Sequence, residues 1–275
     1  MGDAGCAPAE PTWLEVGTAA DIAFFHDPEE ALAEIRALID AGELDGVDYV
    51  VQRVAHREKR LFVADMDSTM ITVECIDELA DYAGIKPQIT EVTERAMRGE
   101  LDFAEALTAR VALLKGLDDG VIDVCRAERV VLTPGARTLV QTLRAHGVMT
   151  VLVSGGFTRF ADPVAAEIGF DVAVANVLEL EEGKLSGTVG QPIVDAERKR
   201  AELIAHAGKL DIDLSESVAI GDGANDIPMI MTAGLGIAYH AKQKARDAAD
   251  AAINHGDLTA VLYMLGIPRR EWVEG

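Results

Sequence analysis

Three short apolar runs punctuate the chain beyond residue 60, and each stops at a polar or acidic residue. Leu61-Phe62-Val63-Ala64 ends at Asp65, Val148–Val153 ends at Ser154-Gly155-Gly156, and Val218-Ala219-Ile220 ends at Gly221-Asp222-Gly223. Apolar positions that run continuously, rather than alternating, predict strands of a parallel sheet covered on both faces. Helical periodicity at Thr138–His146 and Lys199–His206 falls between them, giving β-α-β-α order with right-handed crossovers. Such sheets bind ligands beyond the carboxyl ends of their strands. All three runs turn polar at that end.

Residues 74–130 carry no strand pattern. Four helices are predicted there, at Cys75–Tyr82, Pro87–Met97, Phe103–Lys115 and Val121–Arg129. An all-helical insert at a crossover beside the polar rim has the position of a lid. Val177–Val189 reads as a hairpin with Gly183 in its turn. The first 58 residues predict a strand at Trp13–Val16, a second near Ile22–Phe25, and a helix opened by Asp27-Pro28. Leu32, Ile35, Leu38 and Ile39 form its apolar stripe, Gly42 closes it, and Tyr49–Val54 reads as a further strand. This segment resembles part of a small regulatory α+β domain. The expected division is an N-terminal segment 1–58, a core made of 59–73 and 131–275, and a helical cap 74–130.

Composition narrows the partners. The 275 residues are 49% hydrophobic and 26% charged, and the formal net charge is −22. That field repels nucleic acid and anionic lipid, so neither is expected to bind. A small anionic substrate remains compatible if cations gather at its site. The three cysteines, Cys6, Cys75 and Cys125, build neither a disulfide framework nor a zinc spacing and suit a reducing compartment. The N-terminus has no apolar signal region, and no apolar stretch reaches the roughly 18 residues of a membrane span. A cytoplasmic protein is expected.

Asp65-Met66-Asp67-Ser68-Thr69 is the centre of the candidate chemistry. In extended chain, residues i and i+2 face the same side, so Asp65 and Asp67 address one crevice. Two neighbouring carboxylates repel, and a cation or a shared proton must settle them. One is then free to attack while the other serves as acid. A turn with a helix N-cap is the commoner origin of a lone Asp-x-Asp. Gly221-Asp222-Gly223-Ala224-Asn225-Asp226 adds acids at another strand end, where Asp222 is a candidate ligand beside Asp65 for a divalent ion and Asp226 a support. Its glycines permit close backbone approach to a ligand. Asp226 stands where a dinucleotide fingerprint needs its third glycine. Ser154-Gly155-Gly156 offers a hydroxyl and open N–H groups to an anion. A fixed cation should complete the set. Within Glu197-Arg198-Lys199-Arg200, Lys199 lies one turn before Leu203 and two before Ala207, toward the packed side. Arg198 shares an outer face with Glu202 and Lys209, and periodicity does not separate Lys199 from Arg200.

Taken together, Asp65-x-Asp67-Ser-Thr, Ser154-Gly-Gly, Lys199 and Gly-Asp222-Gly-x-Asn-Asp226 resemble, in order and spacing, the four motifs of the haloacid dehalogenase superfamily. Within it the chain is similar to the bacterial phosphoserine phosphatase family from about residue 60 to about residue 265. The resemblance implies an α/β fold with a Rossmann-like parallel-sheet core and a helical cap. It implies Mg²⁺-dependent hydrolysis of O-phosphoserine, the closing step of serine biosynthesis, through an aspartyl-phosphate on Asp65. Asp67 would serve as acid and then base. Mg²⁺ would be held by the carboxylates of Asp65 and Asp222 and the main-chain carbonyl of Asp67, with Asp226 behind them. Ser154, Gly155 and Lys199 would hold the phosphoryl oxygens.

The cap should carry specificity. Phe103, Leu107, Arg110 and Leu114 follow helical spacing, which sets Arg110 on an apolar stripe in need of a partner. An internal ion pair with a cap glutamate is the plainer solution, and a bidentate substrate carboxylate the other. Glu74, read alone, is an acid favouring a helix start. By resemblance Glu74 receives the substrate ammonium and Arg110 its carboxylate, Met97 and Phe103 wall the pocket, and Asn225 adjoins the substrate. The competing activities are transfer of the phosphoryl group to an alcohol such as homoserine, a broader small-phosphomonoester phosphatase, and a non-catalytic phosphoserine sensor. A homodimer is compatible with the chain.

Overall fold

Leu61, Phe62, Val63 and Ala64 are completely enclosed, as a strand buried on both faces must be. In the computed structural model this run is the middle of a six-stranded parallel sheet. The structure describes residues 9–24, 28–42 and 45–274, without the side chains at positions 28, 29, 36, 39, 40 and 97. Before the sheet come a two-stranded hairpin, β1 (Thr12–Glu15) with β2 (Ala19–Asp21), and helix α1 (Pro28–Asp40). The sheet begins with β3 (Leu61–Ala64). Four helices follow: α2 (Cys75–Tyr82), α3 (Lys86–Met97), α4 (Phe103–Leu113) and α5 (Gly120–Arg129). The chain then alternates through α6 (Ala136–Ala145), β4 (Met149–Phe157), α7 (Thr158–Ile168) and β5 (Val172–Asn176). An antiparallel hairpin, β6 (Leu178–Glu181) and β7 (Lys184–Val189), turns on Gly183 at φ 76°. The chain returns through α8 (Ala196–Leu210), β8 (Ser217–Gly221), α9 (Ile227–Thr232) and β9 (Leu235–Tyr239). It ends with α10 (Gln243–Ala248), β10 (Ala251–Ile253) and α11 (Ala260–Met264).

The strand order is β10-β9-β8-β3-β4-β5. The chain leaves β3 toward β4 on one side and later returns to β8 on the other. The topological switch point therefore falls between β3 and β8, the crevice where open α/β sheets bind ligands. Asp65 N–H donates to the Ile220 carbonyl at 3.0 Å, which extends the β3–β8 ladder to the first residue of the candidate motif. Ala64 pairs with Leu152, so the last five residues of β4 project beyond the end of β3.

The expected core and insert are both observed, with three further parallel strands, β5, β9 and β10, that the apolar runs did not single out. Two of these, β5 and β10, are sheet edges and are less buried, so their side chains read less clearly as core. The N-terminal expectations need correction. The second strand is Ala19–Asp21, not Ile22–Phe25, because Gly17 at φ 79° turns the chain straight back onto β1; Phe25 and the Asp27 cap lie outside the described residues. Tyr49–Val54 is not a strand. Tyr49 alone bridges to Ala252, and Gln52 Nε2 donates to the Met264 carbonyl at 2.6 Å as the chain crosses α11. Among the described residues, no helix is long and apolar enough to cross a membrane.

Candidate active site

Asp65 follows the last residue of β3 and is 3% exposed. Its Oδ1 accepts from Met66 N–H at 2.8 Å and from Lys199 Nζ at 2.5 Å, which leaves Oδ2 without a protein donor. Lys199, 1% exposed, gives a second bond to Asp226 Oδ1 at 2.8 Å. The packed face of α8 thus carries Lys199, a choice that periodicity left open against Arg200. Arg200 lies outside, bonded to Thr232 and Glu197. Arg198 is also outside, but its partner Glu202 is buried and lies beside His206, so the expected outer placement of Glu202 does not hold.

Asp226 is wholly enclosed. Its Oδ2 accepts from Asp222 N–H at 3.2 Å and Gly223 N–H at 3.0 Å, so both its oxygens serve protein donors. A Cβ at Gly221 would fall on the Asp226 carboxylate, and one at Gly223 on Asn225 Oδ1. The glycines of this loop therefore make room for the protein's own side chains, a different use from the ligand approach expected of them. Asp222, half-buried, has no hydrogen bond to its carboxylate among the described residues. One oxygen from each of Asp65, Asp222 and Asp226 lies within 4.8 Å of the others. Three convergent hard oxygen donors, of which those of Asp222 and Asp65 Oδ2 are free, are the chemistry that suits a small divalent cation.

Asp67 lines the same cavity as Asp65 and Asp222. The chain after Asp65 makes an irregular turn with Ser68 at φ 56°, a left-handed conformation that few non-glycine residues adopt. Ser68 Oγ donates to Glu74 Oε1 at 2.6 Å across the mouth of that turn. The Asp67 carboxylate faces Gly156, where an added Cβ would stand 3.1 Å from Asp67 Oδ2 and 3.0 Å from Ser154 Oγ. Asp67 Oδ1 is buried with no hydrogen-bond partner among the described residues. Ser154-Gly155-Gly156 is not a loop but the projecting end of β4, and its hydroxyl is already bonded to Gly156 N–H at 2.8 Å. Asn176 braces this strand end, donating to the Gly155 carbonyl at 2.8 Å while its Oδ1 accepts from Val194 N–H at 2.7 Å.

The electrostatics follow from this crowding. Burial, and next the Asp226 charge, push Asp65 well above the usual carboxylate range, while Lys199 pulls the other way. Burial followed by Glu74 raises Asp67 to about 7, against the lowering pull of hydrogen bonds from Cys75. Asp222 rises to about 6 through burial, then Asp226 and Glu74. Burial alone would lower Lys199, but Asp226 and Asp65 outweigh it and hold the ammonium charged.

Asp65, Asp67 and Asp222 open onto a cavity of about 380 Å³ beneath the helical insert. Phe103 and Leu107 line it, and Phe103 presses its ring edge toward Gly155. Arg110 faces the cavity too. Its Nε donates to the Ala106 carbonyl at 3.3 Å, and it forms no ion pair among the described residues. Burial lowers its pKa, opposed by Asp77, Glu74 and Asp67. The internal Glu74–Arg110 pair is thus not made, since Glu74 takes the Ser68 hydroxyl instead. Asn225 also lines the space; the side chain of Met97 lies outside the described residues. Sequence reasoning missed Lys242, which lines the same cavity from the start of α10. A lone lysine after an unremarked strand gave no periodic signal.

An acid-rimmed crevice at the switch point of a parallel sheet, roofed by a helical insert, matches the profile of haloacid dehalogenase-like hydrolases over residues 62–231. The chain belongs to that family. It is 50% identical over 228 residues to a phosphoserine phosphatase of Streptomyces coelicolor, covering 82% of this chain and 55% of that protein. This chain therefore spans little more than half the length of that relative. A solved structure of a probable phosphoserine phosphatase from Vibrio cholerae superposes with a TM-score of 0.76 at 38% identity, covering 91% of this chain and 76% of that one. A structure described as a phospho-aspartyl intermediate analogue of phosphoserine phosphatase superposes with a TM-score of 0.69 at 37% identity, covering 74% of this chain and 98% of the other.

Proposed function

We propose that this protein is a Mg²⁺-dependent phosphoserine phosphatase of the cytoplasm that works through an aspartyl-phosphate. One observation carries the reading: a carboxylate with one free oxygen, a candidate cation site, a second carboxylate raised toward neutrality and an unpaired guanidinium all face one small cavity. The names of the similar proteins supply the substrate. The free, buried thiols of Cys75 and Cys125 support a reducing compartment.

Asp65 Oδ2, the oxygen not spent on Lys199, attacks phosphorus, and the bond from phosphorus to the serine oxygen breaks. Asp67 gives its proton to that leaving oxygen, a contribution of typically about 10²–10⁴ in rate. Asp67 then takes a proton from water, whose oxygen attacks the phosphorus and releases phosphate from Asp65. A Mg²⁺ held by Asp65, Asp222 and the Asp67 carbonyl would neutralise charge on the phosphoryl oxygens. Lys199 favours the anionic form of Asp65 against the upward push of burial, and Asp226 fixes both Lys199 and the Asp222 loop. Residues 74–130 act as the cap: Arg110 receives the substrate carboxylate, Glu74 its ammonium, and Phe103 closes the wall.

The test is phosphate release from phosphoserine and glycerol phosphate, with Mg²⁺ and with chelator. Turnover should require Mg²⁺ and vanish in Asp65→Asn. Arg110→Ala should lose about 10²-fold in kcat/KM on phosphoserine, the scale of a truncated buried charged contact, and little on glycerol phosphate. Equal losses on both substrates would remove the carboxylate-reading role. Diversion of phosphate onto added homoserine would reassign the chain as a phosphotransferase.

A further inference from the structure

The cations of this site divide unexpectedly. Lys199 is saturated by two carboxylates and lies behind Asp65, outside the cavity lining. The cavity itself presents five acids, Asp65, Asp67, Glu74, Asp77 and Asp222, against two bases, Arg110 and Lys242. A phosphomonoester dianion must therefore enter a strongly acidic space on a protein of net charge −22. Arg110 stands on α4 of the helical insert. That leaves Lys242 on the core side.

Its placement is fixed by backbone. Lys242 N–H donates to the Asp222 carbonyl at 3.2 Å, and Ala241 before it is 5% exposed. His240, at φ 42°, anchors the same turn, with its N–H on the Ile253 carbonyl and its Nε2 3.0 Å from the Gly256 carbonyl. The side chain, by contrast, is exposed and forms no ion pair among the described residues. A rigid root beside Asp222 with a free ammonium at the mouth is the arrangement of a charge that meets an anion rather than one that stabilises the fold.

We propose that Lys242 is a substrate-binding residue that captures the phosphate group at the mouth of the cavity and steers it to Asp65. This rests on the phosphomonoester reading above. A focused charge in an otherwise repulsive cleft raises the association rate by roughly tenfold or more, and salt screens the effect. Its role differs from that of Arg110, because phosphate is common to every phosphomonoester and the carboxylate is not.

Lys242→Gln leaves the backbone bond to Asp222 in place and is expected to fold with unchanged thermal stability. It should lower kcat/KM about tenfold on phosphoserine and glycerol phosphate alike, with the larger share in KM and a shallower dependence on ionic strength. Lys242→Arg should restore most of the loss. In parallel, calorimetry with inorganic phosphate and Mg²⁺ should show weaker binding in Lys242→Gln by a similar factor. A loss confined to phosphoserine would overturn the proposal in favour of carboxylate recognition, and an unchanged salt dependence with unchanged phosphate affinity would also overturn it. Phosphate binding that depends on Lys242 in a protein without turnover would uphold Lys242 and sink the phosphatase reading instead.

Discussion

The floor of the cavity and its walls are built on opposite principles. On the floor, Lys199, Asp65 and Asp226 come from three separate elements, are 0–3% exposed, and are tied together by bonds of 2.5 and 2.8 Å. On the walls, Arg110 and Lys242 face the cavity without an ion-pair partner among the described residues. A preorganised floor costs no reorganisation when charge moves during reaction. Unpaired groups on the walls leave their binding capacity for a ligand. The contrast is between buried charges that pair with one another on the floor and cations on the walls that pair with nothing among the described residues.

The sharpest way to break the contrast is to remove the floor's cation. Lys199→Met strands two buried carboxylates, and truncating one partner of a buried pair costs about 3–5 kcal/mol. Urea unfolding at pH 8 should register that loss, with a smaller one at pH 5, where Asp65, raised by burial, takes up a proton more readily. Activity should disappear with it.

Asp67 tests the boundary between the two regions. It rises to about 7 in the fold from 3.8 in the unfolded chain, so between those values the folded protein keeps a proton the unfolded chain has lost. Its contribution is complete below about pH 4 and is lost as pH climbs through 7. Metal-free Asp67→Asn should therefore show a shallower fall in stability over that window and exceed the parent at pH 8 by on the order of 2 kcal/mol. Identical pH profiles would mean that water reaches Asp67 freely.

On the wall, Arg110→Lys keeps the charge but loses the planar fork. It should cost about tenfold in kcat/KM on phosphoserine, a change of about 1.4 kcal/mol, while unfolding stays as in the parent. Smallest of all is Arg200→Ala. Arg200 adjoins Lys199 in sequence but is bonded only at the surface, so stability should move by less than about 0.5 kcal/mol. A large effect there would blur the division between floor and outside.

Much of this was legible in the sequence because burial on both faces requires short continuous apolar runs, and here turn signals bound them. The runs at Leu61–Ala64 and Val218–Ile220 announced central strands, and the acids that follow them marked the rim. Helical spacing likewise set Arg110 among Phe103, Leu107 and Leu114. Edge strands and the N-terminal hairpin were less legible, since half-covered side chains carry weaker patterns and a single glycine at position 17 moves a strand by several residues.

Residue types and spacing alone determined the α/β core, the helical insert and the acids at the strand ends, because those features follow from local periodicity and from which groups tolerate burial. Only the tertiary structure decided that Lys199 rather than Arg200 turns inward, that Glu74 bonds Ser68 and leaves Arg110 unpaired, and that Lys242 joins the cavity. Each of these depends on side chains from different elements or turns meeting at one distance. Periodicity within a single element carries no information about such a meeting.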